Sequence, residues 1–394
     1  MNPPRERSVA VDALRGLTVA SMIVVNTPGT WSAIYPPLRH ADWHGLTPTD
    51  LVFPFFLFIV GVSIALAYAP AAMTAPDRAA ARRKILWRGV KIFAVGLFLN
   101  LWPDFAWADL RVAGVLQRVA VVFVVAALLH LHLGRRTLAA VTVALLVGYW
   151  GALTLVPVPR DAVVEQALAT GAVARAHGTV AVTPAARGPG HIEPNLQPGI
   201  NLQAWADRQF LPGRRYERTW DPEGILSTLP SAATALLGIL AGLLFTRPEW
   251  RARRAITLAG AGVAALAVGY AWGLVWPLNK NLWTGSFVLV AAGWCLLCLA
   301  LCVWWIDDRG WRRPFIPAVA FGMNAITAYA LAGMSHRLFS LAWLDRSIAQ
   351  SIMDGVRWLG GSLELASLTF ALFYTGIIFI PVYVLYCRRV FIRL

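Results

Sequence analysis

Four ionisable residues, His40, Asp42, His44 and Asp50, lie close together between two apolar stretches of this 394-residue chain. Asn26 stands at the end of the first stretch, and the second begins at Asp50 and runs past Gly61. Ionisable and amide groups are costly to desolvate at a membrane boundary, so their clustering there points to function. Histidine is the side chain best suited to move protons near neutral pH. Pro36 and Pro37 stiffen the loop ahead of His40, and Trp31, Tyr35 and Trp43 suggest an enclosed, amphipathic mouth. Asp42 or Asp50 could orient the His40 imidazole. An ordinary surface histidine is the alternative.

A second constellation runs along one helix face. Asp12, Arg15, Val19, Met22 and Asn26 are spaced 3, 4, 3, 4, which makes one stripe about 21 Å long at helical rise. Such a stripe could line a path through the membrane with Arg15 facing an anionic ligand; a plain Asp12–Arg15 ion pair at the interface is the competing reading. Further polar residues flank later apolar runs: Asn100, Asp104, Asp109, Arg111, Gln117 and Arg118; Asp221 and Glu223; Asn279, Lys280 and Asn281. Arg118 needs a partner or water at its depth, and an ion pair with Asp109 or Asp50 is the structural alternative. Asn324 and Thr327 read as helix–helix contacts.

These groups must be positioned by membrane helices. The chain is 58% hydrophobic and 14% charged, with mean hydropathy +0.60, against about 25% charged in soluble domains. The apolar residues fall in bilayer-length blocks, which predicts an all-α polytopic bundle of ten spans at 9–28, 50–70, 85–102, 112–132, 137–156, 225–245, 255–275, 284–306, 315–334 and 364–387. The net charge of +15 is spread over short basic clusters between spans, with no recognition module for nucleic acid. Arg5 and Arg7, then Arg78 to Arg88, Arg135 and Arg136, Arg247 to Arg254, Arg309 to Arg313, and Arg388 to Arg393 occupy every second connection. That parity predicts both termini in the cytoplasm. The first span reads as uncleaved, because Asp12 and Arg15 interrupt it. Residues 345–361 read as an amphipathic or re-entrant piece on the outer side. The segment 157–222 is too short and too poor in apolar residues for a well-packed domain of its own, and is expected to cover the outer mouth of a single 1–394 domain as a cap, with a short helix at 201–211. Cys295, Cys298 and Cys302 share a helix face and read as packing residues, with no disulfide or metal expected.

The motifs D-A-L-R-G-L-T (12–18), V-V-N (24–26), H-A-D-W-H-G-L-T-P-T-D-L-V-F-P-F-F-L-F-I-V-G (40–61), R-V-A-G-V-L-Q-R-V-A (111–120), D-P-E-G-I-L-S-T-L-P (221–230), P-L-N-K-N-L-W-T (277–284) and F-G-M-N-A-I-T-A-Y (321–329) resemble those of the transmembrane acyltransferases that include lysosomal heparan-α-glucosaminide N-acetyltransferase and its bacterial relatives. The resemblance implies a multi-pass inner-membrane enzyme that moves an acetyl group from cytoplasmic acetyl-CoA to an amino sugar on the periplasmic side. It matches the family's functional histidine to His40 and a nearby asparagine to Asn26. The family commonly has asparagine where this chain has His44, so His44 is not carried over as catalytic.

The chemistry suits these residues. Acyl transfer to an amine needs a base for the ammonium proton and a donor for the tetrahedral oxyanion. His40 is the base or, alternatively, a nucleophile that carries the acetyl group; Asp50 or Asp42 sets its tautomer, and Asn26 donates to the oxyanion. Arg15, with Asp12 and Asn26, is expected to hold the CoA end of the donor. Asp42, Trp43, Arg118, Asn279 and Lys280 are the candidates for holding the sugar. The partners expected are the acyl donor, the sugar acceptor and membrane lipids, with no nucleic acid and with a homodimer left open. The competing function is a permease for an amino sugar or its N-acetylated derivative.

Overall fold

The computed structural model describes residues 8–70, 73–340, 342–343 and 346–392. Arg5, Arg7, Asp345 and Arg393, used above for orientation and for the 345–361 segment, lie outside them. Helix α1 (Val9–Asn26) is followed by the His40 loop and by α2 (Pro48–Ala67), then α3 (Ala75–Leu101), α4 (Val115–His132) and α5 (Arg135–Leu155). After the 157–222 segment come α8 (Thr228–Gly242), α9 (Arg254–Gly273), α10 (Gly285–Cys302), α11 (Ile316–Met323), α12 (Ala325–Ser340), α13 (Ile348–Trp358) and α14 (Leu363–Cys387), α6 and α7 lying within that segment.

Among the described residues, seven helical stretches are long and apolar enough to cross a membrane: α1, α2, α4, α5, Glu249–Gly273, Gly285–Asp308 and α14. The pair Arg313–Met323 and Ala325–His336, bent by 73°, makes an eighth if taken as one span. Two of the ten expected spans differ in kind. Helix α8 has 15 residues. Helix α3 has 27 and takes in the basic cluster from Arg78 to Arg88, which was expected to lie in a connection. Alanine, arginine and lysine are good helix formers, and a Thr74–Asp77 capping box starts that helix ten residues before the expected span. Asn324, expected at a helix–helix contact, stands at the break between α11 and α12. Its amide donates to Val390 O (3.2 Å) and accepts from Ile392 N (3.0 Å), holding the chain that follows α14.

Small residues let the helices approach closely, as packing within a bilayer favours. On α1 and α11, a Cβ at Gly16 would stand 1.6 Å from Ala318 O, and one at Gly322 would stand 1.9 Å from Asp12 O. On α2 and α8, a Cβ at Gly61 would lie 2.0 Å from Ala235 O and one at Gly238 would lie 2.0 Å from Phe58 O. Cys295 and Cys302 of α10 are buried in the apolar core formed with α1 and α2. Helix α13 is a short amphipathic helix packed on α14, and Met353 on it reaches Gly29 in the loop that follows α1.

The 157–222 segment folds into a layer of short strands and helices. Strand β1 (Val158–Pro159), helix α6 (Ala162–Thr170), a hairpin of β2 (Ala172–Arg175) and β3 (Gly178–Ala181), strands β4 (Ala186–Arg187) and β5 (His191–Ile192), and α7 (Leu202–Phe210) follow in order. The short strands pair in the order β1-β5-β4. Val158, Val164, Val173, Ile192, Ile200 and Trp220 are buried together with Tyr149 and Leu153 of α5 and with Trp276. The layer therefore shares its core with the membrane helices rather than standing alone, which is how so few apolar residues suffice.

Candidate active site

The site is built where α2 begins. Thr47 caps that helix, Pro48 takes the first helical position and Asp50 the third, an arrangement the backbone needs for its unpaired N–H groups. The Asp50 Oδ2 atom accepts from Thr47 N (3.1 Å), Thr47 Oγ1 (3.0 Å) and Ala41 N (3.1 Å). Its other oxygen, Oδ1, lies 2.7 Å from His40 Nδ1. The Asp50 side chain is 1% exposed and that of His40 is 43% exposed. A fixed carboxylate thus holds one ring nitrogen as a donor, which leaves Nε2 of the neutral ring as the acceptor facing outward. Of the two carboxylates proposed to orient the imidazole, Asp50 makes the contact; Asp42 is exposed and makes no hydrogen bond with a described residue.

Lys280 arrives from the connection between α9 and α10. Two bonds seat that connection against the His40 loop: Gly45 N donates to Leu278 O (2.8 Å), and Asn279 Nδ2 lies 3.3 Å from His44 Nδ1. Lys280 Nζ is then 3.1 Å from His40 Nδ1, 3.3 Å from His40 Nε2 and 3.7 Å from Asp50 Oδ1. Burial lowers the proton affinity of the Lys280 amine below the ordinary lysine range, and the charges of Asp50 and Glu223 restore only part of it. Asn279 is fully buried, and its Oδ1 accepts from Leu282 N (2.8 Å), so this candidate for sugar binding braces the turn that presents Lys280. Trp43 docks on the cap: its indole donates to Leu196 O (2.7 Å) and its ring meets Trp220 edge-on at 5.6 Å.

A polar cluster sits beside these groups. Arg111 forks onto Asp221 through Nε (2.9 Å) and Nη2 (2.6 Å) and reaches Glu223 (2.5 Å). Burial opposes the charge on Arg111, but its bonds to Asp221 and Glu223 outweigh that and hold the guanidinium's proton affinity above the ordinary range. Arg118 is 3% exposed. It pairs with neither Asp109 nor Asp50, the two partners considered from sequence; its Nη2 donates to Gly224 O (3.1 Å) and Ser227 Oγ (2.5 Å), and its guanidinium lies 5.2 Å over the Trp283 ring. Beneath the cluster, Asp207 of α7 accepts from Ile225 N (2.9 Å) and Asp221 N (3.2 Å). Burial raises the Asp207 carboxyl to about 7 in spite of those bonds. Sequence reasoning passed over Asp207 and gave Glu223 no role. The D-P-E triplet at 221–223 was visible, but the side chains it meets come from α7 and the Arg111 segment.

The stripe on α1 divides. Arg15 is committed within the fold: Nη1 donates to Asp12 Oδ1 (2.8 Å) and Gly322 O (3.1 Å), and Nη2 donates to Ser63 Oγ (2.7 Å). These bonds tie α1 to α2 and α11, which is the ion-pair reading of the sequence extended to two further helices. Asn26 is exposed at the far end of α1, and no hydrogen bond joins its side chain to His40, Asp50 or another described residue.

A family model described as heparan-alpha-glucosaminide N-acetyltransferase, catalytic, matches residues 7–163. His40, Asp50, Arg111 and Arg118 fall within that range, whereas Glu223 and Lys280 fall outside it. The human protein named heparan-alpha-glucosaminide N-acetyltransferase is 30% identical over 379 residues, covering 86% of this chain and 54% of the human protein. The mouse protein of the same name is 28% identical over 371 residues, covering 84% and 54%. The chain spans about half the length of these relatives. From the matched region and these two relatives, the chain belongs to the family of the heparan-alpha-glucosaminide N-acetyltransferase catalytic region.

Proposed function

We propose that the protein is a membrane-embedded acetyltransferase that moves an acetyl group from acetyl-CoA to the amine of an amino sugar. The observation that carries this reading is the 2.7 Å contact between His40 Nδ1 and the buried Asp50, with Nε2 left to act as a base. In this scheme His40 Nε2 takes a proton from the acceptor's ammonium group, and the freed amine attacks the thioester carbonyl. The tetrahedral intermediate collapses with loss of CoA thiolate, which leaves as the thiol by taking the second proton from the nitrogen, and His40 releases the first proton to solvent. Asp50 stabilises the imidazolium that forms between the two steps. Lys280, 3.3 Å from Nε2, supplies a cation beside the reacting carbonyl, and Asn26 offers a second hydrogen-bond donor to its oxygen. Lys280 must swing off the ring as substrate enters.

In the same proposal the chain crosses the inner membrane ten times with both termini in the cytoplasm. The span of α1, from the Asp12–Arg15 end to Asn26, gives the pantetheine arm its route between the two sides. Arg15 meets the CoA phosphates. The loop of His40 and the cap face the periplasm, where the sugar arrives.

The direct test is acetyl transfer from acetyl-CoA to glucosamine by the purified protein in nanodiscs, with His40→Ala as the control. Loss of transfer by about 10²-fold or more, with acetyl-CoA still bound, is the result expected for removal of a general base. Equal transfer by the variant would remove His40 from the chemistry. Glucosamine uptake into vesicles without acetyl-CoA, unaffected by the variant, would establish a permease instead.

A further inference from the structure

The carboxylates around the site differ in how many of their lone pairs are taken. Asp50 has both oxygens engaged, one by His40 and the other by Ala41 and Thr47. Asp221 is fully buried; Oδ1 accepts from Arg111 and Glu223 N, and Oδ2 accepts from Arg111 and Tyr216 N. Asp207 is fully buried and gives one oxygen to Asp221 N and the other to Ile225 N. Glu223 is different. Its Oε2 is held by Arg111, whereas no described residue donates to its Oε1, and the side chain keeps 12% exposure.

Position makes that open oxygen informative. Gln203 Nε2 donates to both Asp221 O (3.5 Å) and Asn281 O (3.1 Å), and Trp220 meets Trp43, so the segment that carries Glu223 lies against the turn of Lys280 and the loop of His40. Next to it in the chain, the 224–227 turn is held by Arg118, a buried cation that donates only through Nη2. Among the described residues, Arg118 Nε and Nη1 have no hydrogen-bond partner. Unfilled donors at such depth are rare in native proteins and call for a ligand or water. An open carboxylate oxygen beside unfilled N–H donors is the complement of a molecule that carries an ammonium group next to oxygens able to accept hydrogen bonds. A sugar with an amine between hydroxyl-bearing carbons has that pattern.

We infer that Glu223 Oε1 is the subsite for the acceptor's ammonium group, held in place by Arg111, with Arg118 supplying donors to the neighbouring sugar oxygens. This rests on the transferase reading for the identity of the acceptor, but not for the binding chemistry. Glu223 thereby selects amino over neutral sugars, and it anchors the ammonium group from which His40 takes its proton.

The test compares the affinities of glucosamine and glucose for the protein in nanodiscs, wild type against Glu223→Gln, with acetyl-CoA affinity and thermal stability as controls. Glutamine can still accept from Arg111, so the network is kept while the charge is removed. The expected result is a preference for glucosamine in the wild type that falls by about tenfold or more in the variant, since hydrogen bonds to charged groups carry that much affinity. An unchanged preference would overturn the subsite. Should Glu223→Gln fail to fold, the wild type still decides: glucosamine affinity must fall as pH rises through the amine's own pKa while glucose affinity stays flat, and parallel curves would overturn the proposal. Preferential binding of glucosamine without acetylation would sink the transferase reading and leave the subsite standing. Acetylation with the same KM in Glu223→Gln would do the reverse.

Discussion

Asp50 performs two tasks with one carboxylate: Oδ2 caps α2 and fixes the loop at Ala41, and Oδ1 holds His40. The direction of the imidazole is therefore tied to the start of a membrane helix, a more rigid support than a loop alone. Asp50→Asn is expected to lower kcat by about 10²- to 10⁴-fold, because an amide no longer enforces the tautomer or balances the imidazolium. The same change should cost about 1 kcal/mol of stability through the cap. Turnover and thermal unfolding measured on one preparation separate the two effects; a variant that loses stability but keeps its turnover would limit Asp50 to the cap. Much of this pair was legible in the sequence. Thr47, Pro48 and Asp50 spell a helix start, and His40 lies ten residues before the carboxylate. The contact of Lys280 with His40 was not legible, because it spans 240 residues and is set by how the two connections dock, which no local pattern encodes. Asn279 likewise looked like a ligand group in sequence; its Oδ1 holds its own turn and its Nδ2 lies against His44.

At the scale of elements, the glycines that mark helix crossings position the site by letting α2 settle against α8 and α1 against α11. Gly61→Ala would force a Cβ against Ala235 O, in contact with backbone rather than with a side chain that can swing away. Overpacking of this kind costs about 1–3 kcal/mol, read as a lower unfolding temperature in detergent. Gly260→Ala on α9, where a Cβ meets nothing within 4 Å, should be neutral or slightly stabilising from helix propensity alone. Equal effects from the two changes would refute the close-packing account. Apolar periodicity and length placed nearly every helix. They misjudged α3, whose charged first half still folds as helix, and the 73° break at Asn324, because hydropathy reports what a segment can bury and is silent about where its backbone bends.

For the whole molecule, the cap and the membrane bundle share one core, and Asp207 lies at their junction. Its carboxyl, raised to about 7 by burial, is protonated in the folded protein across a range in which the unfolded chain, with an ordinary aspartate near 3.9, has already lost the proton. The folded state then binds more protons than the unfolded state. Stability from this group is fully present below about pH 4 and is lost as pH rises towards 7, at no more than about 1.4 kcal/mol per pH unit. Asp207→Asn should flatten that part of the stability–pH curve, as followed by thermal unfolding between pH 4 and 7; a curve of unchanged slope would mean that Asp207 does not titrate there. The organised cap was the least legible part of the sequence, because its core borrows Tyr149, Leu153 and Trp276 from elements far away in the chain. The account as a whole depends on His40 acting on an acetyl group while Asp50 holds it. The measurement that tests this most directly is a single turnover with labelled acetyl-CoA and glucosamine, comparing wild type with His40→Ala at matched acetyl-CoA occupancy. The account predicts acetylglucosamine from the wild type and at least about 10²-fold slower formation from the variant; formation at equal rates would contradict it.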